Sequence, residues 1–286
     1  MIPSPMHFGK GLLLTMLWMV STLSAQDLSI ETDLNWKTGE FQLQASLPLP
    51  NTMSPSDHPR LLNQLENELT TRALTTLETL PWNRYGTLKQ QGTPYFPVME
   101  SLALSLKRQW SRLSSDQTQV EAQYTMNLQE IVPSLALGTG QREVWESPMG
   151  WTAQPETSWT GLVIYVPQSL PVRGTSQLRP LQPAINARLL GDQLEVLVSP
   201  EQGDSIPSYT TLSDYLEDST RTGRFPLRTM AREIYGSVPC DIILSEEATK
   251  TLLKSPNLLN LVQSGRWVLI FEDSLDDSRV DVNSSP

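Results

Sequence analysis

The stretch that decides the fold runs from residue 240 to residue 272 and reads "CDIILSEEATKTLLKSPNLLNLVQSGRWVLIFE". Two short apolar runs, one at each end, bracket a segment with helical periodicity. Ser245 is a candidate helix N-cap followed by two glutamates that suit the helix dipole, and Gly265 is a candidate C-terminal glycine. The pattern predicts a strand, a helix and a strand in about 30 residues, which is the size of a right-handed βαβ crossover.

Two similar apolar runs precede this stretch, "WTGLVIYV" (159–166) and "QLEVLVS" (193–199). Both are dense in β-branched and aliphatic residues, which is typical of parallel strands that helices cover on both faces. Residues 199–225 are polar and predict an excursion on the surface. We therefore predict that residues 151–272 form an α/β half with a βαβ unit and parallel central strands.

The preceding half begins with apolar residues at every second position on either side of "KTG" (37–39). This pattern predicts a β-hairpin with Gly39 in its turn. Leucine and alanine then recur every three or four residues over 61–80, which predicts a long amphipathic helix that ends at Pro81. A second helix is predicted over 95–113 and a strand over 120–128.

Residues 134–157 carry glycine, serine and proline with little periodicity, and we place the boundary between the two halves there. The overall prediction is an α+β fold. Its first half, residues 26–150, contains the hairpin, the long helix and a strand. The last residues, 273–286, are acidic and are predicted to be a disordered tail.

The first 25 residues have the plan of a secretory signal peptide, with Lys10, the apolar run "GLLLTMLWMVSTLS" (11–24) and Ala25 at the cleavage point. A retained N-terminal anchor is the alternative. No cysteine lies near Ala25, so we expect no lipoprotein anchor. No later run approaches about 18 apolar residues, so no membrane span is expected in the mature chain.

The composition limits the possible ligands. The formal charge is −10, which argues against nucleic acid because phosphate contacts need clustered lysine and arginine. A single cysteine permits no internal disulfide, so stability must come from burial. These features fit a periplasmic or secreted protein.

Residues able to carry catalysis are few. Outside the signal peptide the one histidine is His58, at a predicted helix start, where we interpret it as a surface residue. Cys240 precedes an apolar strand, and a free cysteine there usually behaves as a small hydrophobe. Glu195 and Asp241 are acids near strands, and no CxxC or HExxH motif occurs. We therefore predict no enzymatic activity, no metal and no cofactor.

Three arginines surround a proline-containing loop, "LRPLQPAINARLLG" (178–191): Arg173, Arg179 and Arg188. Guanidinium groups bind carboxylates and phosphates well. These residues are therefore candidate contacts for an anionic ligand or a partner. Loop solubility and pairing with carboxylates of the same chain are the alternatives.

Five motifs of the second half resemble those of FlgP-like outer-membrane lipoproteins of flagellated bacteria and their longer secreted relatives in spirochaetes. They are "TGLVIYV" (160–166), "LQPAINARLLG" (181–191), "REIYGS" (232–237), "DIILS" (241–245) and "GRWVLIF" (265–271). The resemblance implies an envelope-associated structural protein, with flagellar proteins among its possible partners. It supplies no catalytic residues.

The leading hypothesis is thus a non-enzymatic structural or interaction protein of the periplasm or envelope. The second is a binding module for an envelope glycan or a small anionic ligand, with the three arginines as contacts. A hydrolase acting on the cell wall has the least support, because no nucleophile–base pair is present.

Overall fold

The computed structural model describes residues 28–49, 58–91, 105–131 and 159–272. Within them the chain has a mixed α+β fold, as predicted. The signal peptide, the boundary at 134–157 and the acidic tail lie outside the described residues.

Strands form most of the regular structure. In chain order they are β1 (Ser29–Asn35), β2 (Glu40–Pro48), β3 (Pro81–Asn83), β4 (Gly86–Thr87), β5 (Lys107–Leu113), β6 (Gln119–Asn127), β7 (Leu162–Val166), β8 (Leu170–Pro171), β9 (Leu178–Arg179), β10 (Leu189–Leu190), β11 (Val196–Val198), β12 (Ser208–Thr211), β13 (Leu227–Met230), β14 (Glu233–Tyr235), β15 (Asp241–Ile243) and β16 (Trp267–Phe271). The α-helices are α1 (His58–Thr79), α2 (Leu212–Glu217), α3 (Glu246–Lys254) and α4 (Pro256–Gln263).

The first sheet is antiparallel, with the strand order β1-β2-β6-β5. Its β1–β2 hairpin occurs where the sequence predicts it, and Gly39 supplies the positive φ (+70°) that the turn requires. Alternate residues of β2 and β6 are buried, so one face of the sheet is apolar. Helix α1 covers that face with Leu62, Leu65 and Leu77.

The predicted helix at 95–113 is wrong over its last third, because residues 107–113 form the edge strand β5. Residues 95–104 lie outside the described part. The four-residue spacing of Leu102, Leu106 and Trp110 suggested a helix. Strand alternation is obscured because the pairing with β6 shifts register between Arg108 and Trp110, as at a β-bulge.

The second sheet is entirely parallel, with the order β12-β16-β7-β13. Its central strand β16 is buried at all five positions, and β7 is buried at four of five. The continuous apolar runs at 159–166 and 267–271 therefore do form parallel strands, as predicted, whereas the run at 193–199 forms β11, which pairs antiparallel with β10. Leu162, Ile164 and Leu269 belong to the main core of this half.

The predicted βαβ crossover over 240–272 is wrong, because its two strands belong to different sheets. Strand β15 lies in a third sheet, of order β11-β10-β15-β14, where it pairs with β10 in parallel and with β14 antiparallel. The local elements do occur. The Ser245 hydroxyl accepts the N–H of Ala248 at the start of α3, and Gly265 has a φ of +105° after α4.

Residues 199–225 are only in part the surface excursion that their polarity suggested, since 216–220 and 224–225 are exposed but other residues are buried. They contain β12, the outer strand of the parallel sheet, and α2, which packs on that sheet. Tyr209 and Tyr215 are each 3% exposed, and Thr222 is fully buried. The tyrosine rings supply apolar surface, while their hydroxyls bind the Ala184 backbone and the Thr222 side chain.

The two halves of the chain are in direct contact. The hairpin turn of the first half lies along β12: Trp36 O accepts the N–H of Tyr209 at 3.3 Å, and Lys37 O accepts the Ser208 hydroxyl at 2.6 Å. The Trp36 ring also meets Tyr209 edge to face, with centroids 5.4 Å apart. The hairpin turn thereby covers the outer edge of β12 at Ser208 and Tyr209.

A second contact between the halves involves β3 and the turn after it. Pro81 O and Trp82 O accept the backbone N–H groups of Ile185 and Asn186 at 3.1 and 2.7 Å. These bonds hold the proline-containing loop of the second half against the first half. The polar pocket described below lies at this contact.

Candidate functional site

The three arginines chosen from the sequence are each bound within the chain. Arg173 forms an ion pair with Glu233 at 3.0 Å, and Arg179 donates to the backbone oxygen of Ser237 at 3.4 Å. Arg188 binds Asp241. They therefore do not present one shared anion site, and carboxylate pairing, one of the alternatives, describes two of them.

Asp241 is the centre of a buried ion-pair cluster. Its side chain is 1% exposed, and its Oδ2 accepts Arg188 Nε at 2.9 Å and Nη2 at 2.6 Å. Its Oδ1 accepts the backbone N–H of Arg188 at 3.0 Å. Arg84, from the first half, places Nη1 3.6 Å from Oδ2. One carboxylate thus forms ion pairs with guanidinium groups from both halves.

Arg84 is also fixed through its backbone and through its neighbour in the β3–β4 turn. Its backbone oxygen accepts the N–H of Val238 at 3.0 Å and the Ser237 hydroxyl at 2.7 Å. Its Nη2 donates to Tyr85 Oη at 2.6 Å, and the guanidinium carbon lies 4.3 Å from the Tyr85 ring centroid. The cluster therefore connects the two halves through both side-chain and backbone contacts.

A pocket of about 160 Å³ opens beside this junction. Both halves contribute, and all of its lining residues are polar or aromatic: Asn83, Arg84, Tyr85, Gln91, Asn186, Arg188 and Glu201. Asn186 is 2% exposed; its Nδ2 donates to Glu201 Oε1 at 2.5 Å. Its Oδ1 is buried and has no hydrogen-bond partner among the described residues.

Of the residues that line the pocket, the sequence pattern indicated Arg188 as a candidate contact and indicated none of the others. Arg84, Asn186 and Glu201 come from three distant segments, and no local spacing connects them. The turn "NRYG" (83–86) carries a usable signal, because an asparagine and a glycine there favour a turn that presents the side chains between them.

The candidate catalytic residues of the sequence occupy structural positions. Cys240 is fully buried beside Ala184 and Ala187, and burial raises the pKa of its thiol well above the usual range. Asp241 forms ion pairs with Arg188 and Arg84. His58 begins α1. In the described ranges, no three histidine, cysteine, aspartate or glutamate residues are grouped so that they could hold a metal ion.

The outer edge of the parallel sheet at β13 is a second candidate site. Leu227 and Ala231 donate their N–H groups to Gly161 O and Tyr165 O of the neighbouring segment. Since backbone direction alternates along a strand, the N–H groups of Arg228 and Met230 face away from β7. Among the described residues, no strand pairs with β13 on that side.

Several side chains in β13 and immediately beside it are exposed, including two large apolar ones. We call this surface the β13 edge; it comprises Arg224, Phe225, Arg228, Met230 and Arg232. Phe225 is 66% exposed and Met230 is 61% exposed. Arg228 donates to Tyr165 Oη at 3.0 Å. The edge thus combines open backbone groups, two large apolar side chains and three arginines, of which Arg232 lies 3.6 Å from the Glu233 carboxylate.

Fold and sites together define a mixed α+β protein of two contacting halves. Residues 27–134 match the family model of the N-terminal domain of Treponema pallidum Tp0624, and residues 161–273 match that of its second domain. The chain is therefore similar to this spirochaetal protein over two consecutive domains, which fits the spirochaetal part of the resemblance. A search of curated proteins gives no match. No α-helix in the described ranges has the length and apolar character needed to cross a membrane.

Proposed function

We propose that this chain is a non-enzymatic structural or interaction protein of the bacterial periplasm or envelope, and that it binds a protein partner through the β13 edge. The observation that carries the proposal is the difference between the two edges of the parallel sheet. The hairpin turn covers β12, whereas β13 has no pairing strand among the described residues. An open edge with apolar side chains is a template for an added strand.

The chemistry of the edge favours an extended, acidic partner segment. Three exposed arginines stand along a chain whose net charge is −10, so they form a local cationic surface that attracts carboxylates. Phe225 and Met230 supply the apolar anchors on which binding energy concentrates. Strand addition supplies the backbone hydrogen bonds, and the arginines select the partner.

The cellular location rests on the first residues and on the relatives. The apolar run at 11–24 supports export by a signal peptide, and the spirochaetal similarity fits an envelope protein. The FlgP-like motifs support association with the flagellar apparatus. We include this association in the proposal.

Two other hypotheses have less support. Binding of an anion by Arg173, Arg179 and Arg188 is disfavoured because all three guanidinium groups have acceptors within the chain. Hydrolysis is disfavoured because Asp241 is held by arginines and the Cys240 thiol is buried.

A photoreactive benzoylphenylalanine at position 225 tests the proposal. In cells that make the protein, we expect irradiation to yield one discrete adduct with an envelope protein. The matched control carries the same group in place of Leu178, which is 66% exposed on β9, and should give no such adduct. Equal labelling from both positions, or none from position 225, would contradict the proposal.

A further inference from the structure

We propose that the pocket between the halves binds a single neutral sugar ring. The inference is independent of the β13 edge. It begins with Asn186, whose Oδ1 is buried without a described partner although a buried polar atom normally has one. The orientation of this amide is fixed, because Nδ2 must face the Glu201 carboxylate, to which it donates. Oδ1 therefore requires a donor from a group that enters the pocket.

The neighbouring wall of the pocket offers a hydrogen-bond donor. Arg188 uses Nε and Nη2 for Asp241, and its Nη1 has no hydrogen bond to any residue that the structure describes. Nη1 is thus a donor that a ligand in the pocket can use. Vicinal hydroxyls of a sugar can bind both groups, because each hydroxyl can donate one hydrogen bond and accept others.

The charge balance favours a neutral ligand over an anion. Two guanidiniums, Arg84 and Arg188, stand at the pocket, but Asp241 neutralises part of their charge and Glu201 adds a second carboxylate. A phosphate or carboxylate ligand would lie close to Glu201 and be repelled. Neutral hydroxyl groups carry no such penalty.

The size and shape of the pocket fit one sugar ring. The volume of about 160 Å³ is below the roughly 300–1,000 Å³ of pockets for drug-sized ligands. Tyr85 at the rim is 61% exposed and offers an aromatic surface against which the apolar face of a sugar can pack. The ligand is therefore a terminal or free monosaccharide unit rather than the interior of a polymer.

Titration of the full chain with glucose, N-acetylglucosamine, glucuronate and inorganic phosphate, followed by protein NMR, tests this proposal. We expect millimolar binding of the neutral sugars, with shifts confined to the pocket residues. Asn186→Ala should weaken that binding about tenfold, the loss expected for one buried hydrogen bond. Because Asn186 is buried, the folding of the Asn186→Ala variant is checked by circular dichroism. Tyr85→Ala, an exposed change that leaves the core intact, provides a second reduction of affinity.

The matched control is Arg179→Ala, which removes an exposed arginine outside the pocket and should leave sugar binding unchanged. Binding of a methyl glycoside as tightly as of the free sugar would assign the site to glycan ends. Phosphate or glucuronate binding in preference to glucose would overturn the proposal, since the pocket would then be an anion site. An absence of shifts with every sugar would overturn it as well.

Discussion

The Asp241→Asn variant is expected to lose about 3–5 kcal/mol of unfolding free energy, because it leaves buried guanidinium groups without their counter-charge. Arg188 and Arg84 are only 16% and 22% exposed, so water replaces the lost carboxylate only in part. The new amide also places an N–H₂ donor or a neutral oxygen where Arg188 donates two hydrogen bonds. Urea unfolding followed by tryptophan fluorescence measures the change.

Glu233→Gln is the matched control, because it also breaks an arginine–carboxylate pair. Arg173 is 37% exposed in that pair, and water screens the charges, so the expected cost is at most about 1 kcal/mol. Equal losses in the two variants would show that the Asp241 cluster is no more important than a surface ion pair.

The second large effect is expected for Leu269→Ala, with a loss of about 2–5 kcal/mol of unfolding free energy. Leu269 is fully buried in the middle of β16, between Ile164 of β7 and Tyr209 of β12. Its truncation leaves a cavity that three well-packed parallel strands cannot close. Calorimetry measures the lowered melting temperature.

Leu216→Ala provides the comparison for that variant. Leu216 lies on α2 and is 70% exposed, so the same chemical change should alter the unfolding free energy by less than about 0.5 kcal/mol. If the two leucine variants had the same melting temperature, the parallel sheet would not be the core of the second half.

Local sequence pattern was sufficient to predict the long helix and seven strands, namely β1, β2, β6, β7, β11, β15 and β16. The run of 267–271 is apolar at every position because β16 is covered on both faces, and period two in 40–48 reflects a sheet with one covered face. The membership of β15 and β16 in separate sheets could not be predicted. Strand pairing depends on distant segments, and β15 has only three residues to signal its partners.

The candidate sites were predictable only in part. Arg188 could be predicted as a candidate contact because it lies beside a proline-containing loop. Its partner Asp241 could not, because it lies 53 residues further along the chain. Arg84 and Asn186 meet only because β3 hydrogen-bonds that loop. The β13 edge has no clear signal in the sequence, because "LRTM" (227–230) is short and its two polar residues, Arg228 and Thr229, are adjacent rather than alternate. Whether an edge is covered depends on the complete sheet order.

The most direct test of partner binding at the β13 edge combines the photoreactive group at position 225 with Met230→Pro. Proline removes the outward N–H of residue 230 and leaves the hydrogen bonds of Leu227 and Ala231 to the β7 segment in place. Met230→Ala, which retains that N–H, is the control, and both melting temperatures are measured. We predict that the adduct disappears with proline and is weakened but retained with alanine, which removes only the apolar anchor of Met230, while the protein remains folded. An undiminished adduct in the folded proline variant would contradict strand addition at this edge.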